Sequence, residues 1–149
     1  MVNKMSKGSQ LRKAQPSDFD ALFPIYMHPK INRFLNFELM DKERFKAIFN
    51  ELITSGEMFV FLNNGQIVAT CIVMKQKRRA SHVASLGTLA THPDFHGQGF
   101  GSQFIRALFE RLKTEGISRV DLCVEADNAV AQRFYKKLGF QCEGVLKHY

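Results

Sequence analysis

Residues His92–Ser102 read His-Pro-Asp-Phe-His-Gly-Gln-Gly-Phe-Gly-Ser, and they are the most informative part of the chain. They lie between a strand-like run, Ala84–Thr91, and an amphipathic segment with helical spacing. Glycines at positions 97, 99 and 101 leave backbone N–H groups bare of side chains. At the start of a helix such donors lack partners and carry partial positive charge. The stretch therefore predicts a site for a phosphate group.

Length and composition limit the class of protein. The chain has 149 residues, 45% of them hydrophobic, so we expect one domain over residues 1–149 with a disordered lead at residues 1–10. No run approaches the roughly 20 apolar residues of a membrane span, and the polar start lacks a signal core. The odd number of cysteines, without a CxxC pair, indicates reduced core thiols in a cytoplasmic protein: Cys71, Cys123 and Cys142.

The net charge of +7 is compatible with several kinds of anionic partner. The densest basic run is Lys75–Arg79, between two strand-like segments. It can be a solvated loop, a rim for an anionic substrate or cofactor, or a nucleic-acid contact. Because the run has no interleaved aromatic residue, we do not expect nucleic acid as a partner. We expect no membrane partner either, since the chain lacks an apolar run long enough to span one.

Apolar periodicity predicts an α+β fold with the element order β-α-α-β-β-β-α-β-α-β. The turn Asn63-Asn64-Gly65 favours a tight hairpin between the second and third strands. The predicted strands are Leu11–Ala14, Glu57–Leu62, Gln66–Met74, Ser81–Thr91, Arg119–Val124 and Phe140–Leu146. The predicted helices are one capped at Ser17-Asp18 that continues through Tyr26, then Lys42–Ser55, Gly99–Glu115 and Ala129–Leu138.

Two familiar phosphate loops fit the glycines poorly. A P-loop needs a lysine directly after its last glycine, and none follows Gly101. A dinucleotide fingerprint needs GxGxxG after the first strand, whereas this loop reads GxGxG after a later one. His92 and His96 have HxxxH spacing, but Pro93 lies between them and no third ligand is evident, so we expect no metal.

A third type of loop fits. The run His96–Gly101 resembles motif A of the GCN5-related N-acetyltransferases (GNAT), with the pattern (Arg/Gln)-x-x-Gly-x-(Gly/Ala). It departs at the first position, where His96 replaces Arg or Gln. Asn128–Phe140, with its Phe-Tyr-Lys-Lys-Leu-Gly-Phe, resembles the family's motif B. The resemblance covers the chain from Leu11 onward and implies a mixed, mostly antiparallel central sheet flanked by helices.

The resemblance also implies acetyl-coenzyme A as cosubstrate. It places the diphosphate on His96 and on the backbone N–H groups of Gly97, Gln98, Gly99, Phe100, Gly101 and Ser102. The pantetheine arm would pair with the strand edge at Leu89, Ala90 and Thr91. Asn128 either contacts the cofactor or only caps its helix. Relatives commonly continue into one more strand where this chain stops, so either the strand is lacking, or a partner chain supplies a neighbour as in a homodimer, or the sequence is truncated. An uncovered last strand would leave an exposed sheet edge.

Catalysis needs a proton donor for the thiolate and a deprotonated amine. Tyr135 matches the family's general-acid tyrosine, although its helical position also suits a core residue. Deprotonating a lysine amine at pH 7 costs roughly 4–5 kcal/mol, against about 1 kcal/mol for an α-amine. The candidate bases are His82, Glu125 and, through water, Ser85. The central strand carries no carboxylate, which favours an α-amine acceptor.

The sequence thus predicts an N-acetyltransferase acting on a primary amine, namely a small molecule or an amino acid α-amine. Lys77–Gly87 resembles a branch that acetylates free amino acids or small amine compounds. Two alternatives stay open: a non-catalytic, regulatory acetyl-coenzyme A-binding module, and acetylation of a protein or peptide amine. The resemblance also implies that the acceptor pocket is formed by Tyr26–Leu39, with its aromatics Phe34 and Phe37, and by the Lys75–Ser81 loop. In that loop Arg78 or Arg79 would hold a substrate carboxylate.

Overall fold

Five strands form one sheet, in which neighbours in space are also neighbours along the chain. The strands are Ser9–Lys13 (β1), Met58–Asn63 (β2), Gln66–Lys75 (β3), Val83–Thr91 (β4) and Arg119–Leu122 (β5). β1 to β4 pair antiparallel, and β4 and β5 pair parallel. This computed structural model describes residues 7–32, 35 and 37–147, with the backbone alone at position 88. The predicted pocket residue Phe34 therefore lies outside the described residues.

Helices cover both faces of the sheet, and the sheet separates two layers of hydrophobic core. They are Phe19–Tyr26 (α1), Pro29–Asn32 (α2), Lys42–Ser55 (α3), Phe100–Thr114 (α4) and Ala129–Lys137 (α5). One core layer lies under α1 and α3, and its largest fully buried side chains include Tyr26, Phe45 and Phe49. The other lies under α4, where Phe104 stacks on Phe61 with ring centroids 5.5 Å apart. The predicted mixed, mostly antiparallel sheet flanked by helices is confirmed.

The predicted helix boundaries and hairpin depend on local residues. α3 runs over the predicted residues, because the Asp41 carboxylate accepts the Arg44 N–H at its start and Gly56 adopts a left-handed conformation at its end. Asn64 and Gly65 both have positive φ, 51° and 79°, as a tight hairpin between β2 and β3 requires. The short α2 was not predicted, because four residues are too few to show helical periodicity.

The predicted last strand, Phe140–Leu146, is wrong. Residues 138–147 contain no strand, and within the described chain none of the backbone N–H groups of residues 141–147 bonds to a strand. Val145 and Leu146 are 78% and 62% exposed. An alternating apolar pattern forms a strand only where a neighbouring strand offers a ladder, and none does so here.

Two further expectations need correction. The predicted disordered lead, residues 1–10, overlaps β1, because Ser9 and Gln10 pair with Asn63 and Leu62 of β2. Among the three cysteines predicted in the core, only Cys71 is buried, and Cys123 and Cys142 are exposed. Within the described part of the chain, the helices are too short or too polar to cross a lipid bilayer.

The central strand β4 is irregular on both of its edges. Toward β3, Thr70 pairs with Ala90 and Ile72 pairs with Gly87. The two β4 residues at positions 88 and 89 therefore lie opposite one β3 residue, Cys71, and form a bulge. Toward β5, pairing covers only Val83–Leu86. The second half of β4, residues 87–91, therefore has no strand partner on its β5 side among the described residues. β4 and β5 thus separate in a gap that begins just after Leu86.

Candidate active site

The glycine loop follows the open half of β4. A short 3-10 turn, Pro93–Phe95, leads into Gly97 and Gly99, whose φ angles of 78° and 79° are left-handed values that side-chain-bearing residues rarely adopt. Gly101, in the first turn of α4, is needed for a different reason. A Cβ there would lie 3.3 Å from the Phe134 ring and 3.6 Å from the Thr91 hydroxyl oxygen. The glycines thus allow the turn and the close approach of α4 to α5.

The loop presents a set of unpaired backbone donors. Within the described structure, the N–H groups of residues 97–102 donate to no backbone or side-chain acceptor, and the first bond of the helix runs from the Gln103 N–H to the Gly99 carbonyl oxygen. Positions 96–99 are exposed. Such donors, at the positive end of the dipole of α4, suit an anion. These residues therefore fit the diphosphate of acetyl-coenzyme A.

Both histidines of the loop are engaged in hydrogen bonds. His96, which departs from the motif, donates from Nε2 to the Thr91 carbonyl oxygen at 3.0 Å. His92 accepts the Asp94 N–H at Nδ1, at 3.1 Å. The predicted cofactor residue His96 thus joins the loop to the last residue of β4. Among the described residues no group of three or more metal-ligating side chains forms.

The predicted pairing edge for the pantetheine arm falls in the open half of β4. Leu89, Ala90 and Thr91 lie beyond Leu86, the last residue of β4 that pairs with β5. Their backbone groups on that side have no strand partner in the described chain. An extended ligand with amide groups could add there as a strand does.

Tyr135 reaches the same region from α5. Its half-buried ring contacts Phe134 and Phe140, with centroids 5.1 and 5.5 Å away. Burial, and then the neighbouring Cys71, raise the pKa of the Tyr135 phenol above its ordinary value, so the group stays protonated at neutral pH. Within the described residues its hydroxyl has no hydrogen-bond partner. A purely structural tyrosine in such surroundings would be expected to bond its hydroxyl locally.

Cys71, beside Tyr135, marks the bulge of β4. Its sulfur lies 3.4 Å from the carbonyl oxygens of both Gly87 and Ile72, which share its single thiol hydrogen as acceptors. Burial raises the pKa of this thiol to about 12. Cys71 is therefore neutral at physiological pH, and it lies on β3 opposite the two bulged residues of β4, next to the start of the gap.

The remaining predicted residues are spread more widely. Asn128 caps α5, since its side-chain oxygen accepts the Ala131 N–H at 3.1 Å. Glu125 is exposed in the connection between β5 and α5. His82 is exposed just before β4, about 16 Å along the strand from Gly87 at about 3.3 Å per residue.

Ser85 lies closer to the gap and has a partner that sequence reasoning missed. Its hydroxyl donates to a carboxylate oxygen of Asp121 on β5, at 2.5 Å. The two residues pair across the parallel strands β4 and β5. They are 36 positions apart in the sequence, and the signal that could have paired them is the register of the two predicted strands.

Comparison with known proteins gives the family. A model of the acetyltransferase (GNAT) family matches residues 17–140. The chain belongs to the GNAT acetyltransferase family. An acetyltransferase of Yersinia enterocolitica is 28% identical over 137 residues, which are 92% of this chain and 91% of that protein. The resemblance that the two motifs predicted is therefore confirmed.

Two further similarities add to this. A [ribosomal protein bS18]-alanine N-acetyltransferase of Haemophilus ducreyi is 36% identical over 66 residues, 44% of this chain and 46% of the relative. The solved structure of a transcriptional regulator from Bacillus halodurans superposes with a TM-score of 0.76 at 24% identity, covering 95% of this chain and 99% of that one, so the two chains share a fold. The protein is an acyl-coenzyme A-dependent N-acetyltransferase, and the family uses acetyl-coenzyme A as cosubstrate.

Proposed function

We propose that this enzyme, acting as one domain in the cytoplasm, transfers the acetyl group of acetyl-coenzyme A to the primary amine of a small molecule or amino acid. The observation that carries the proposal is the placement of the unpaired N–H groups of residues 97–102 directly after the open half of β4. The Tyr135 ring contacts Phe134, whose own ring packs against Gly101 at the end of the loop. A diphosphate held by the loop would direct the rest of the cosubstrate along β4 toward the phenol.

Two features of the backbone bind acetyl-coenzyme A. The N–H groups of residues 97–102 donate to the diphosphate oxygens, and His96 keeps the loop in place through Thr91. The edge of β4 at Leu89, Ala90 and Thr91 pairs with the amides of the pantetheine arm. The side-chain nitrogen of Asn128 is the further polar contact, because its oxygen already caps α5.

Tyr135 acts as the general acid. The nitrogen of the acceptor attacks the thioester carbonyl, an N–C bond forms, and the C–S bond breaks with its electron pair on sulfur. The Tyr135 hydroxyl gives its proton to that sulfur. The raised pKa of the phenol ensures that the proton is present at neutral pH, and the free hydroxyl leaves the donor unused before substrate binds.

The amine must lose a proton, and the energetics favour an α-amine. Its deprotonation at pH 7 costs about 1 kcal/mol, so a water chain or a weak base suffices. The identity of the base stays a prediction, with Glu125, His82 and Ser85 as the candidates. The Haemophilus relative is named for acetylating an alanine, which supports an α-amine and also favours the alternative of a peptide amine.

The basic loop before β4 suits an acceptor that also carries an anionic group. Arg78 adopts φ of 58°, which costs a residue with a side chain of order 1 kcal/mol and is more common at functional sites. Arg78 and Arg79 lie in the 3-10 turn between β3 and β4. We propose that one of them binds the carboxylate of the acceptor as a bidentate pair. The homodimer stays a prediction.

Thiol release from acetyl-coenzyme A tests the function. The acceptors are a set of α-amino acids, a peptide with N-terminal alanine, spermidine and glucosamine 6-phosphate. We expect the highest kcat/KM with an α-amine, and a lower value when the carboxylate of that acceptor is amidated. Binding of acetyl-coenzyme A without turnover of any of these amines would favour the non-catalytic module. Highest turnover with the peptide would favour the peptide alternative.

A further inference from the structure

The Ser85–Asp121 pair lies at the closed end of the gap between β4 and β5. Pairing of the two strands ends one position later, at Leu86 and Leu122. From Gly87 onward β4 has no partner on that side in the described chain. A polar pair at this point borders the space in which, by the proposed function, the thioester is held.

The pair faces the side of the sheet opposite to Tyr135. Ala84 and Leu86 pack in the core layer under α4, so Ser85 between them faces the layer that α1 and α3 cover. The hydrogen bond to Ser85 puts the Asp121 carboxylate on that side too. Tyr135 comes from the α4 side, since its ring contacts Phe134 and Phe140, which both pack against the α4 layer. Phenol and carboxylate thus approach the gap from opposite faces.

The carboxylate keeps capacity for a ligand. The Asp121 side chain is 42% exposed, and one of its oxygens accepts the Ser85 hydroxyl. Its other oxygen is 3.7 Å from Nε of Arg119, whose guanidinium makes a shorter contact with Glu143. An ionised carboxylate accepts about four hydrogen bonds, so acceptor positions remain for an amine.

The surface beside the carboxylate is partly apolar, because the side chain of Met74 lies over Gly87. Gly87 carries no side chain, and a Cβ there would lie 3.2 Å from the terminal methyl group of Met74. Met74 itself is 40% exposed. An acceptor on this face would meet a carboxylate for its nitrogen and a methionine for its carbon chain.

We propose that Asp121 binds the amine of the acceptor, accepting a hydrogen bond from the nitrogen, and that Ser85 is a positioning residue that orients the carboxylate. This rests on the proposed function. The ligand class is a primary amine that arrives as a cation, and it enters from the face opposite to the general acid. A nitrogen held there has the thioester between itself and Tyr135, as transfer with proton donation to sulfur requires.

Steady-state kinetics of Asp121→Asn with the best acceptor of the panel tests the proposal. Loss of a charge-assisted hydrogen bond should raise KM for the amine about tenfold or more, and acetyl-coenzyme A should bind within about twofold of wild type by calorimetry. Ser85→Ala should raise KM less, in the same direction. Asp121→Glu retains the charge and should recover part of the loss. Glu110→Gln, an exposed residue of α4 paired with Lys113, is the matched control and should leave KM unchanged.

The outcomes separate this inference from the proposed function. If the wild-type protein turns over an amine and Asp121→Asn keeps its KM within about twofold, the inference is wrong and the function stands. If the wild-type protein turns over no amine, the proposed function fails and the inference with it. If Asp121→Asn does not fold, as judged by thermal melting, Ser85→Ala and Asp121→Glu decide. An unchanged KM in both of those variants would overturn the inference.

Discussion

His96 and Thr91 are joined by a 3.0 Å hydrogen bond from the imidazole Nε2 to the backbone carbonyl oxygen. A carbonyl oxygen only accepts, so Nε2 carries the proton. The bond closes a five-residue link from the end of β4 to the glycine loop. It gives a physical role to the residue at which the chain departs from its family's motif, because it holds the unpaired N–H groups at a fixed place relative to the strand edge.

Loss of this bond should weaken cosubstrate binding. His96→Ala leaves the loop less ordered, and we expect the Kd of acetyl-coenzyme A to rise about threefold to tenfold, the effect of one hydrogen bond. His96→Gln offers an N–H group of similar reach and should recover most of the affinity. Calorimetric titration measures both, and equal Kd values for wild type and His96→Ala would show that the bond has no part in binding.

Tyr135→Phe isolates the hydroxyl, because the ring contacts with Phe134 and Phe140 remain. We expect turnover to fall about 100-fold or more, the usual effect of losing a general acid. The melting temperature should not change, since the hydroxyl makes no hydrogen bond within the described residues. Unchanged turnover would remove Tyr135 from the mechanism.

The pH dependence of the rate is a second test of Tyr135. The pKa of Tyr135 is raised, so the acid form persists to a higher pH than in an exposed tyrosine. The wild-type rate, measured with saturating acceptor, should therefore show no loss of a catalytic proton around pH 10, the ordinary value for a phenol. A rate that falls with an apparent pKa near this ordinary value would contradict the assigned burial.

Stability at acid pH should depend on Asp18. Its carboxylate accepts two hydrogen bonds from Arg12, at 2.7 and 3.0 Å, and the Gln15 N–H at 2.7 Å. Burial raises its pKa, but these partners outweigh burial and hold the pKa below the ordinary value. The unfolded chain then binds the proton more readily. The stabilisation is present above the unfolded-state pKa of about 3.9 and is lost as the pH falls toward the folded-state value.

Asp18→Asn should lower the free energy of unfolding by about 2 kcal/mol at neutral pH and remove part of the acid dependence. Urea unfolding at neutral pH and below about pH 4 measures both effects. Glu38→Gln is the control, because Glu38 pairs with Arg44 at 3.3 Å on the exposed surface. That change should cost no more than about 0.5 kcal/mol. Equal losses of unfolding free energy in the two variants would contradict the claim that the buried Asp18–Arg12 pair stabilises the fold.

The three cysteines should differ in reactivity. The thiolate is the reactive form, and burial raises the pKa of Cys71 to about 12, whereas Cys123 and Cys142 are exposed. A thiol reagent at mildly alkaline pH should label two thiols rapidly in the folded chain and the third only on unfolding. Cys71→Ser should leave the rapid count at two. Rapid labelling of all three thiols would show that the bulge of β4 opens readily.

The elements that could be predicted from the sequence are those whose ends are set by residues within the element or next to it. Asp41 and Gly56 delimit α3, and Asn64 with Gly65 fixes the hairpin, because each acts through hydrogen bonds or φ angles within a few positions. The glycine loop belongs to the same group. A phosphate site at a helix start needs only consecutive backbone N–H groups, so its residues are contiguous in the sequence.

The parts that could not be predicted depend on distant contacts. The segment Phe140–Leu146 has the alternation of a strand, but a strand also needs a neighbour, which local pattern does not reveal. Ser85 and Asp121 meet only because β4 and β5 pair in one particular register. The exposure of Cys123 likewise follows from the end of β5 at Leu122, two positions earlier than predicted.

Calorimetric titration of acetyl-coenzyme A into Gly99→Glu and Gly116→Glu tests the central claim, that the N–H groups of residues 97–102 hold the diphosphate. Both glycines flank α4, with φ of 79° and 85° and open space where a side chain would begin, so the backbone strain is similar. A carboxylate is more favourable at the start of a helix than at its end, so Gly99→Glu is not the less stable variant. We predict binding as in wild type for Gly116→Glu and no measurable binding for Gly99→Glu. Wild-type affinity in Gly99→Glu would contradict the account.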